Sequence, residues 1–182
     1  MNNLLTTALK YLNTTEGKGA INNPTIMGWA KTLGIYYGGD ATPWCALFVS
    51  WVAYEASAKG LRTLTARKWL TVGTTLNGPE VGCVAILWRD SINSGKGHVG
   101  IVSSFTDTHI TLLGGNQNQT VSYATFPKTR VLGYRRLEGA GTPAPKPKSK
   151  IGWIVLGVTA FVGLTGAGLW LAFGEEDKKL AF

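Results

Sequence analysis

The N-terminal part of the chain carries apolar residues at the spacing of helix faces. Residues 4–12 place their leucines and alanine on one side of a helix, which predicts a first helix. Asn23-Pro24 is a start signal and Gly34 a stop signal, so we expect a second helix between them. The apolar run that follows Pro43 has the spacing of a buried helical face and predicts a third helix, extending to about Lys59-Gly60.

The middle of the chain changes to the short apolar runs that are typical of strands. We predict strands at residues 83–88, 98–105, 109–113, 120–123 and 131–136. Segments rich in Gly, Asn, Asp and Ser separate them, including a predicted loop at 114–118. A short helix is predicted at 66–70, before the strands. Helices followed by consecutive strands indicate the α+β class with an antiparallel sheet.

Beyond residue 138 the pattern changes again. Residues 139–150 alternate Pro with Ala and Lys, which predicts a stiff, solvated linker after a domain at 1–138. Residues 151–173 contain no charged side chain, and at about 1.5 Å per residue they are long enough to cross a hydrocarbon core of about 30 Å. We therefore expect a single transmembrane helix there, followed by a charged tail at 174–182.

Positive charge is concentrated on the N-terminal side of the predicted transmembrane helix. Arg and Lys residues are frequent from 130 to 150, whereas only Lys178 and Lys179 follow the helix. By the positive-inside rule, the N-terminal domain is expected on the cytoplasmic side. The first residues lack the basic start and long apolar run of a secretory signal, so we expect no export signal.

Composition narrows the range of functions. The net charge is +8, but no Arg-rich helix, zinc-ligand spacing or aromatic ribonucleoprotein motif accompanies it, so a specific nucleic-acid partner is not expected. Hydrophobic residues make up 45% of the chain, which is enough for a globular core. Seven Trp and six Tyr suggest a well-packed core or a polymer-binding groove. The candidate substrate contacts are Trp44, Tyr37, Trp88 and Gln117.

Cys45 is the main candidate for chemistry. It follows Pro43 in the first turn of the third predicted helix, where backbone N–H groups are unpaired and the helix dipole stabilises a thiolate. The alternative is a buried core cysteine, because free cysteines are among the most buried residues. Cys83 lies in a strand-like apolar run, so we expect one reactive and one structural thiol, not a disulfide.

A cysteine nucleophile needs a base and a group that orients that base. Of the two histidines, His98 starts an apolar strand between glycines, whereas His109 is expected in an exposed turn. If the next two strands pair as a hairpin, Asn116 returns to the His98 end, where its amide oxygen could accept the ring N–H. A satisfied strand-end histidine and an ordinary turn asparagine are the alternatives for these two residues.

Three segments resemble the motif blocks of CHAP and NlpC-type peptidoglycan hydrolases, a papain-like group, and in particular its small phage and prophage members. They are Pro-Trp-Cys-Ala-Leu-Phe-Val at 43–49, Gly-His-Val-Gly-Ile-Val at 97–102 and Leu-Gly-Gly-Asn-Gln at 113–117. The blocks occur in the expected order, and the resemblance covers about residues 1–138. It implies a papain-like fold.

The resemblance also implies roles for individual residues. Cys45 would be the nucleophile, His98 the general base and Asn116 the orienting residue, with Gln117 competing for that last role. The implied reaction is cleavage of amide bonds in peptidoglycan through an acyl-enzyme, in which the Cys45 N–H helps to hold the oxyanion. Calcium-binding relatives carry an acidic cluster before the cysteine; here only Asp40 stands there, so no metal and no cofactor are expected.

The resemblance does not say which amide bond of peptidoglycan is cut or on which membrane the enzyme is carried. An N-acetylmuramoyl-L-alanine amidase and a peptide endopeptidase would share this machinery. The expected partners are peptidoglycan, a lipid bilayer and, for an enzyme carried on the membrane of a phage particle, virion structural proteins. The host inner membrane, with lysis at the end of infection, is the other location.

The sequence leaves two other functions open. One is a structural or wall-binding membrane protein with an inactive papain-like domain. The other is a thiol acyltransferase acting on lipids. In that class the histidine precedes the cysteine, whereas here Cys45 precedes His98.

Overall fold

The structure is a computed structural model that describes residues 4–140. Its α-helices are α1 (Leu4–Leu9), α2 (Pro24–Leu33) and α3 (Cys45–Glu55), and 3-10 helices occur at Ala66–Thr71 and Lys128–Arg130. The strands are β1 (Thr74–Leu76), β2 (Val84–Trp88), β3 (Gly97–Phe105), β4 (His109–Gln117), β5 (Thr120–Pro127) and β6 (Val131–Arg136). The helices therefore precede the strands, as the sequence predicted.

The strands of the described residues form one antiparallel sheet in the order β1-β6-β2-β3-β4-β5. From β2 to β5 each strand pairs with the next along the chain, whereas β6 crosses back to the free edge of β2. This architecture confirms the α+β class. The sequence did not predict β1, because a strand of three residues offers no alternation to recognise.

The sheet is buried on both faces. On one face, Val84 and Ile86 join the cluster formed by α1, α2 and α3. On the other, Cys83, Ala85 and Leu87 belong to a second, smaller cluster. Successive side chains of a strand point to opposite faces, so β2 contributes to both clusters. Burial of each large aliphatic side chain contributes roughly 1.5–3 kcal/mol, and this holds the helices on the sheet.

Local signals account for the ends of α2. The Asn23 side chain accepts a hydrogen bond from the Thr25 N–H at 2.8 Å, and Pro24 is the first helical residue. Gly34 adopts a φ of 67°, and its N–H donates to carbonyls of the last turn. Such left-handed caps favour glycine, so the start and stop read from the sequence are confirmed.

The third helix starts as expected but ends early. It begins at Cys45 and stops at Glu55, before the predicted end at Lys59-Gly60. Ser57 takes a φ of 55°, which turns the chain out of the helix. The Lys59 N–H then donates to the Glu138 carbonyl at 2.8 Å, so a long-range partner replaces the next helical bond.

The predicted loop at 114–118 is wrong for most of its length. Strand β4 continues through Gln117, and its pairing with β5 shifts register between Gly114 and Gln117. Asn116 has a φ of 56° within this irregularity. The turn-forming residues therefore mark a β-bulge, which re-aims side chains, and not the end of the strand.

No helix of residues 4–140 is long and apolar enough to cross a membrane. The predicted transmembrane helix at 151–173 and the tail at 174–182 lie outside the described residues, as does nearly all of the linker at 139–150.

Candidate active site

Cys45 is the first residue of α3, and only 4% of it is exposed. Burial raises the pKa of its thiol, while backbone hydrogen bonding to Val99 and Ala46 and the charge of Arg89 act in the opposite direction. The thiol is therefore protonated at neutral pH in the free protein. The backbone groups at the helix start favour the thiolate, as expected, but desolvation outweighs them in the free protein.

The two cysteines have different surroundings. Cys45 and Cys83 are both free, and they belong to the clusters on opposite faces of the sheet. Burial raises the pKa of Cys83 to about 11. Cys45 alone of the two lines a cleft described below. The sheet between them prevents a disulfide.

His98 is the second residue of β3, and its ring is bonded to Gln117. Its Nε2 lies 3.1 Å from Gln117 Oε1, and both side chains are buried. The Gln117 Nε2 faces the carbonyls of Leu112, at 3.4 Å, and Ser122. Since those acceptors fix the amide orientation, Gln117 presents its oxygen to the ring. His98 Nε2 therefore carries the proton, and Nδ1 keeps a lone pair.

The environment keeps His98 neutral. Burial lowers its pKa to about 4; the hydrogen bond to Gln117 raises it, and the charges of Arg89 and Arg130 lower it further. An imidazole with this pKa is unprotonated at neutral pH and is able to accept a proton. Cys45 and His98 thus rest as a thiol and a neutral base.

Two glycines of β4 make room for this arrangement. A Cβ on Gly114 would lie 3.1 Å from Gln117 Oε1 and 3.3 Å from His98 Nε2. A Cβ on Gly115 would lie 2.5 Å from the Trp44 ring and 2.6 Å from Phe48 Cβ. The Gly-Gly pair therefore allows α3 to pack closely on the strand that carries Gln117.

Asn116 faces the start of α3. In one orientation of the side-chain amide, both its oxygen and its nitrogen form hydrogen bonds. The oxygen accepts from the Trp44 N–H at 3.2 Å, and the nitrogen donates to Glu16 Oε1 at 3.2 Å. The sequence left Asn116 and Gln117 as alternatives for the residue that orients His98. In the structure the hydrogen bond to the ring comes from Gln117.

Cys45 and His98 line two adjoining parts of one cleft. The His98 side has a volume of about 530 Å³ and includes Gln117 in its lining, and the Cys45 side has a volume of about 430 Å³. Pro43 and Arg89 line both parts. These shared lining residues place the Cys45 side next to the His98 side.

Two of the predicted substrate contacts are structural. Trp44 is fully buried, and its Nε1 donates to Glu16 at 2.8 Å. Tyr37 is 8% exposed, and its hydroxyl donates to the Thr42 carbonyl at 2.7 Å; burial raises its pKa. These predictions are wrong, because both side chains support the segment before Cys45 from inside. Trp88 is half-buried beneath the Arg130 guanidinium.

Arg89 and Arg130 are cleft residues that the sequence reading missed. Both line the His98 side. Arg89 directly follows β2, and Leu87 of that strand pairs with His98 on β3. The hairpin pairing of these strands was the available signal, since it brings the residue after β2 towards the start of β3.

Asp40 serves the fold. Its buried carboxylate accepts the N–H groups of Gly17 and Asn23, each at 2.7 Å, and so joins two loops. Within residues 4–140 no group of three or more His, Cys, Asp or Glu side chains is arranged to hold a metal ion.

Residues 36–116 match the family model of the CHAP domain. The matched region contains Cys45 and His98, and Gln117 follows it directly. No curated protein matches the chain. The helix-borne cysteine, the strand-borne histidine and the antiparallel sheet agree with this match. Residues 36–116 are therefore similar to the CHAP domain, a papain-like amidase/peptidase domain of the kind that implies a cysteine-dependent peptidoglycan hydrolase.

Proposed function

We propose that the chain cleaves an amide bond of peptidoglycan with Cys45 as nucleophile, His98 as general base and Gln117 as the residue that orients the base. The observation that carries this proposal is the hydrogen bond between His98 Nε2 and Gln117 Oε1, which leaves Nδ1 unprotonated. The CHAP domain supports the substrate class. Cys45 and His98 border the same cleft, which supports their joint action.

The reaction proceeds in two halves. The Cys45 sulfur bonds to the substrate carbonyl carbon while His98 Nδ1 takes the thiol proton. The Cys45 N–H, which has no partner within the helix, donates to the developing oxyanion. When the carbon–nitrogen bond breaks, His98 returns the proton to the leaving amine, and a thioester remains on Cys45. Water, deprotonated by His98, then attacks the thioester and releases the carboxylic acid and the thiol.

Asn116 has a supporting role in this proposal. Its hydrogen bonds to the Trp44 N–H and to Glu16 hold the backbone just before Cys45. The side chains of Trp44 and Tyr37 are bonded to the same region. These contacts keep the nucleophile at the cleft, whereas Gln117 acts on the base.

The test is digestion of purified peptidoglycan by the full chain, compared with Cys45→Ala and with Cys83→Ala as the matched cysteine control. We expect the parent and Cys83→Ala to release soluble fragments and Cys45→Ala to release none. Mass spectrometry of the new termini identifies the bond: an amidase frees the lactyl carboxylate of muramic acid and the amine of the first stem residue, whereas an endopeptidase frees a carboxylate and an amine within the peptide.

Other outcomes would contradict the proposal. Equal release by the parent and by Cys45→Ala would exclude the cysteine mechanism. Binding without cleavage by a folded parent would favour the wall-binding interpretation. Transfer of acyl groups between lipids, with no action on peptidoglycan, would favour the acyltransferase.

We also propose that the segment at 151–173 anchors the domain to a membrane, either that of a phage particle or the host inner membrane. The support is the sequence: an uncharged segment, a Pro-rich linker and an excess of Lys and Arg before the segment. In inside-out vesicles, external protease should digest the N-terminal domain. A domain protected in those vesicles would contradict the proposed cytoplasmic orientation.

A further inference from the structure

The His98 side of the cleft contains two guanidinium groups. Arg89 and Arg130 both line it, and the charges of both lower the pKa of His98. The charge of Arg89 also lowers the pKa of Cys45. Both cations therefore act on the site of reaction.

Neither cation is hydrogen-bonded to a carboxylate of the described residues, although the charge of Asp90 interacts with both of them. No Asp or Glu of the described residues lines the His98 side. Asp90, the chain neighbour of Arg89, forms an ion pair with Lys96 at 2.8 Å. The exposed Arg89 side chain makes no hydrogen bond or ion pair with any residue from 4 to 140. Its donors are therefore available to a ligand.

Arg130 is held in place. Its Nη2 donates to the Trp88 carbonyl at 3.0 Å, and its guanidinium lies 5.4 Å from the ring centroids of Trp88 and Phe126. Stacking and hydrogen bonding of this kind pre-organise the planar group, so less freedom is lost when an anion binds. One fixed and one adaptable guanidinium thus face the same side of the cleft.

We propose that Arg89 and Arg130 bind a free carboxylate of the peptide stem beside the amide that is cut, so that stems with this carboxylate are preferred over amidated stems. This inference rests on the proposed function for the identity of the substrate. Guanidinium groups suit the ligand because they bind carboxylates through paired, charge-assisted hydrogen bonds. A neutral carboxamide offers one acceptor and no charge.

Binding of a carboxylate would also act on the base. The two arginines oppose protonation of His98 in the free protein. An anion between them offsets that repulsion, which favours the protonated imidazole that forms when Cys45 attacks. The preferred substrate would therefore improve the proton acceptor as well as bind more tightly.

The test uses the full chain carrying Cys45→Ala, so that binding is measured without turnover. The probes are synthetic tetrapeptides of alanine, isoglutamate, lysine and alanine. One form has both carboxylates free, a second has the isoglutamate carboxylate amidated and a third has the C-terminal carboxylate amidated. By calorimetry we expect one amidated form to bind about tenfold more weakly, in keeping with a partly exposed charged hydrogen bond.

Substitutions of arginines test whether Arg89 and Arg130 cause the preference for the free carboxylate. Arg89→Gln in the Cys45→Ala background should reduce the preference to less than about twofold. Arg62→Gln removes the same charge from an exposed position outside the His98 side and should leave the preference intact. Arg130→Lys keeps the charge but not the planar fork, so an intermediate preference is expected.

The outcomes separate this inference from the proposed function. Equal affinity for all three peptides, no binding of any of them at millimolar concentration, or a preference that survives Arg89→Gln would overturn the carboxylate site. A parent that binds the free carboxylate through Arg89 but hydrolyses nothing would overturn the proposed function and leave the binding site standing.

Discussion

At the scale of single residues, the choice of an amide to orient His98 has a chemical consequence. Gln117 fixes the ring tautomer by accepting from Nε2, but it brings no negative charge to the imidazole. A carboxylate in the same place would favour the protonated ring. The neutral partner, together with burial, keeps the pKa of His98 at about 4 and keeps the base ready to accept a proton.

The role of Gln117 is tested by two substitutions. Gln117→Ala leaves Nε2 without its partner, so we expect kcat to fall by about a hundredfold, at the low end for loss of general-base action, with little change in KM. Gln117→Glu places a negative charge at the ring and should raise the pKa of His98, moving the acidic limb of the kcat–pH profile to higher pH. The measurement is hydrolysis of peptidoglycan across the pH range.

Asn116→Ala is the matched control for these variants. It removes hydrogen bonds to Trp44 and Glu16, which support the start of α3. We expect lower stability but an unmoved acidic limb. If Asn116→Ala moved that limb and Gln117→Glu did not, Asn116 would be the residue that orients His98.

At the scale of elements, the site depends on how closely α3 approaches β4. The cysteine begins the helix, and Gln117 ends the strand, so their separation is set by packing between the two elements. Gly115 lies at the point where an added Cβ would meet the Trp44 ring and Phe48. The bulge at Asn116 then turns the strand so that Gln117 reaches the ring.

Gly115→Ala should disturb this approach. The new Cβ would lie within 2.6 Å of buried atoms, and overpacking of this kind costs about 1–3 kcal/mol. We expect a lower free energy of unfolding in urea for residues 1–140, and a loss of activity at temperatures where the variant is still folded. Gly28→Ala is the control: a Cβ in this helix meets nothing within 4 Å, so stability should rise by about 0.5–1 kcal/mol. Equal stability of the two variants would contradict the packing argument.

The elements also show where sequence reasoning stops. The ends of α2 were predictable because a cap and a left-handed glycine are local signals. The placement of β6 between β1 and β2 was not, since strand order depends on pairing between distant segments. The bulge in β4 explains the uncertainty over the orienting residue: one extra residue reverses which of two neighbours, Asn116 or Gln117, faces His98.

At the scale of the whole molecule, burial decides the protonation state of Cys45 and His98. The sequence makes Cys45 and His98 candidates because their motifs are local, but it could not give their solvation. Desolvation raises the pKa of the thiol and lowers that of the imidazole. The folded domain thus supplies a neutral pair, and the cations that line the cleft were recognisable only after β2 and β3 were paired.

Burial of a neutral histidine links folding to pH. Its pKa is about 4 in the folded protein and about 6.5 in the unfolded chain, so between these values the unfolded state binds the extra proton. The contribution of neutral His98 to the free energy of unfolding is fully present above pH 6.5 and is lost as the pH falls to 4. The loss amounts to about 3 kcal/mol, because each pKa unit corresponds to about 1.36 kcal/mol.

Urea unfolding of residues 1–140 at pH 4, 5, 6 and 7 measures this linkage. The parent should lose about 3 kcal/mol between pH 7 and pH 4, whereas His98→Gln should be nearly flat above pH 4.5. The exposed His109 supplies the control, since His109→Gln should retain the slope of the parent. Partial burial raises the pKa of Glu55, but hydrogen bonds from Lys10 and Tyr11 lower it overall. The stability that Glu55 contributes is therefore lost only when the pH drops under about 4.5, and this loss is common to every variant. A parent and a His98→Gln variant with the same slope between pH 5 and pH 7 would mean that His98 is solvated and is not held as a buried neutral base.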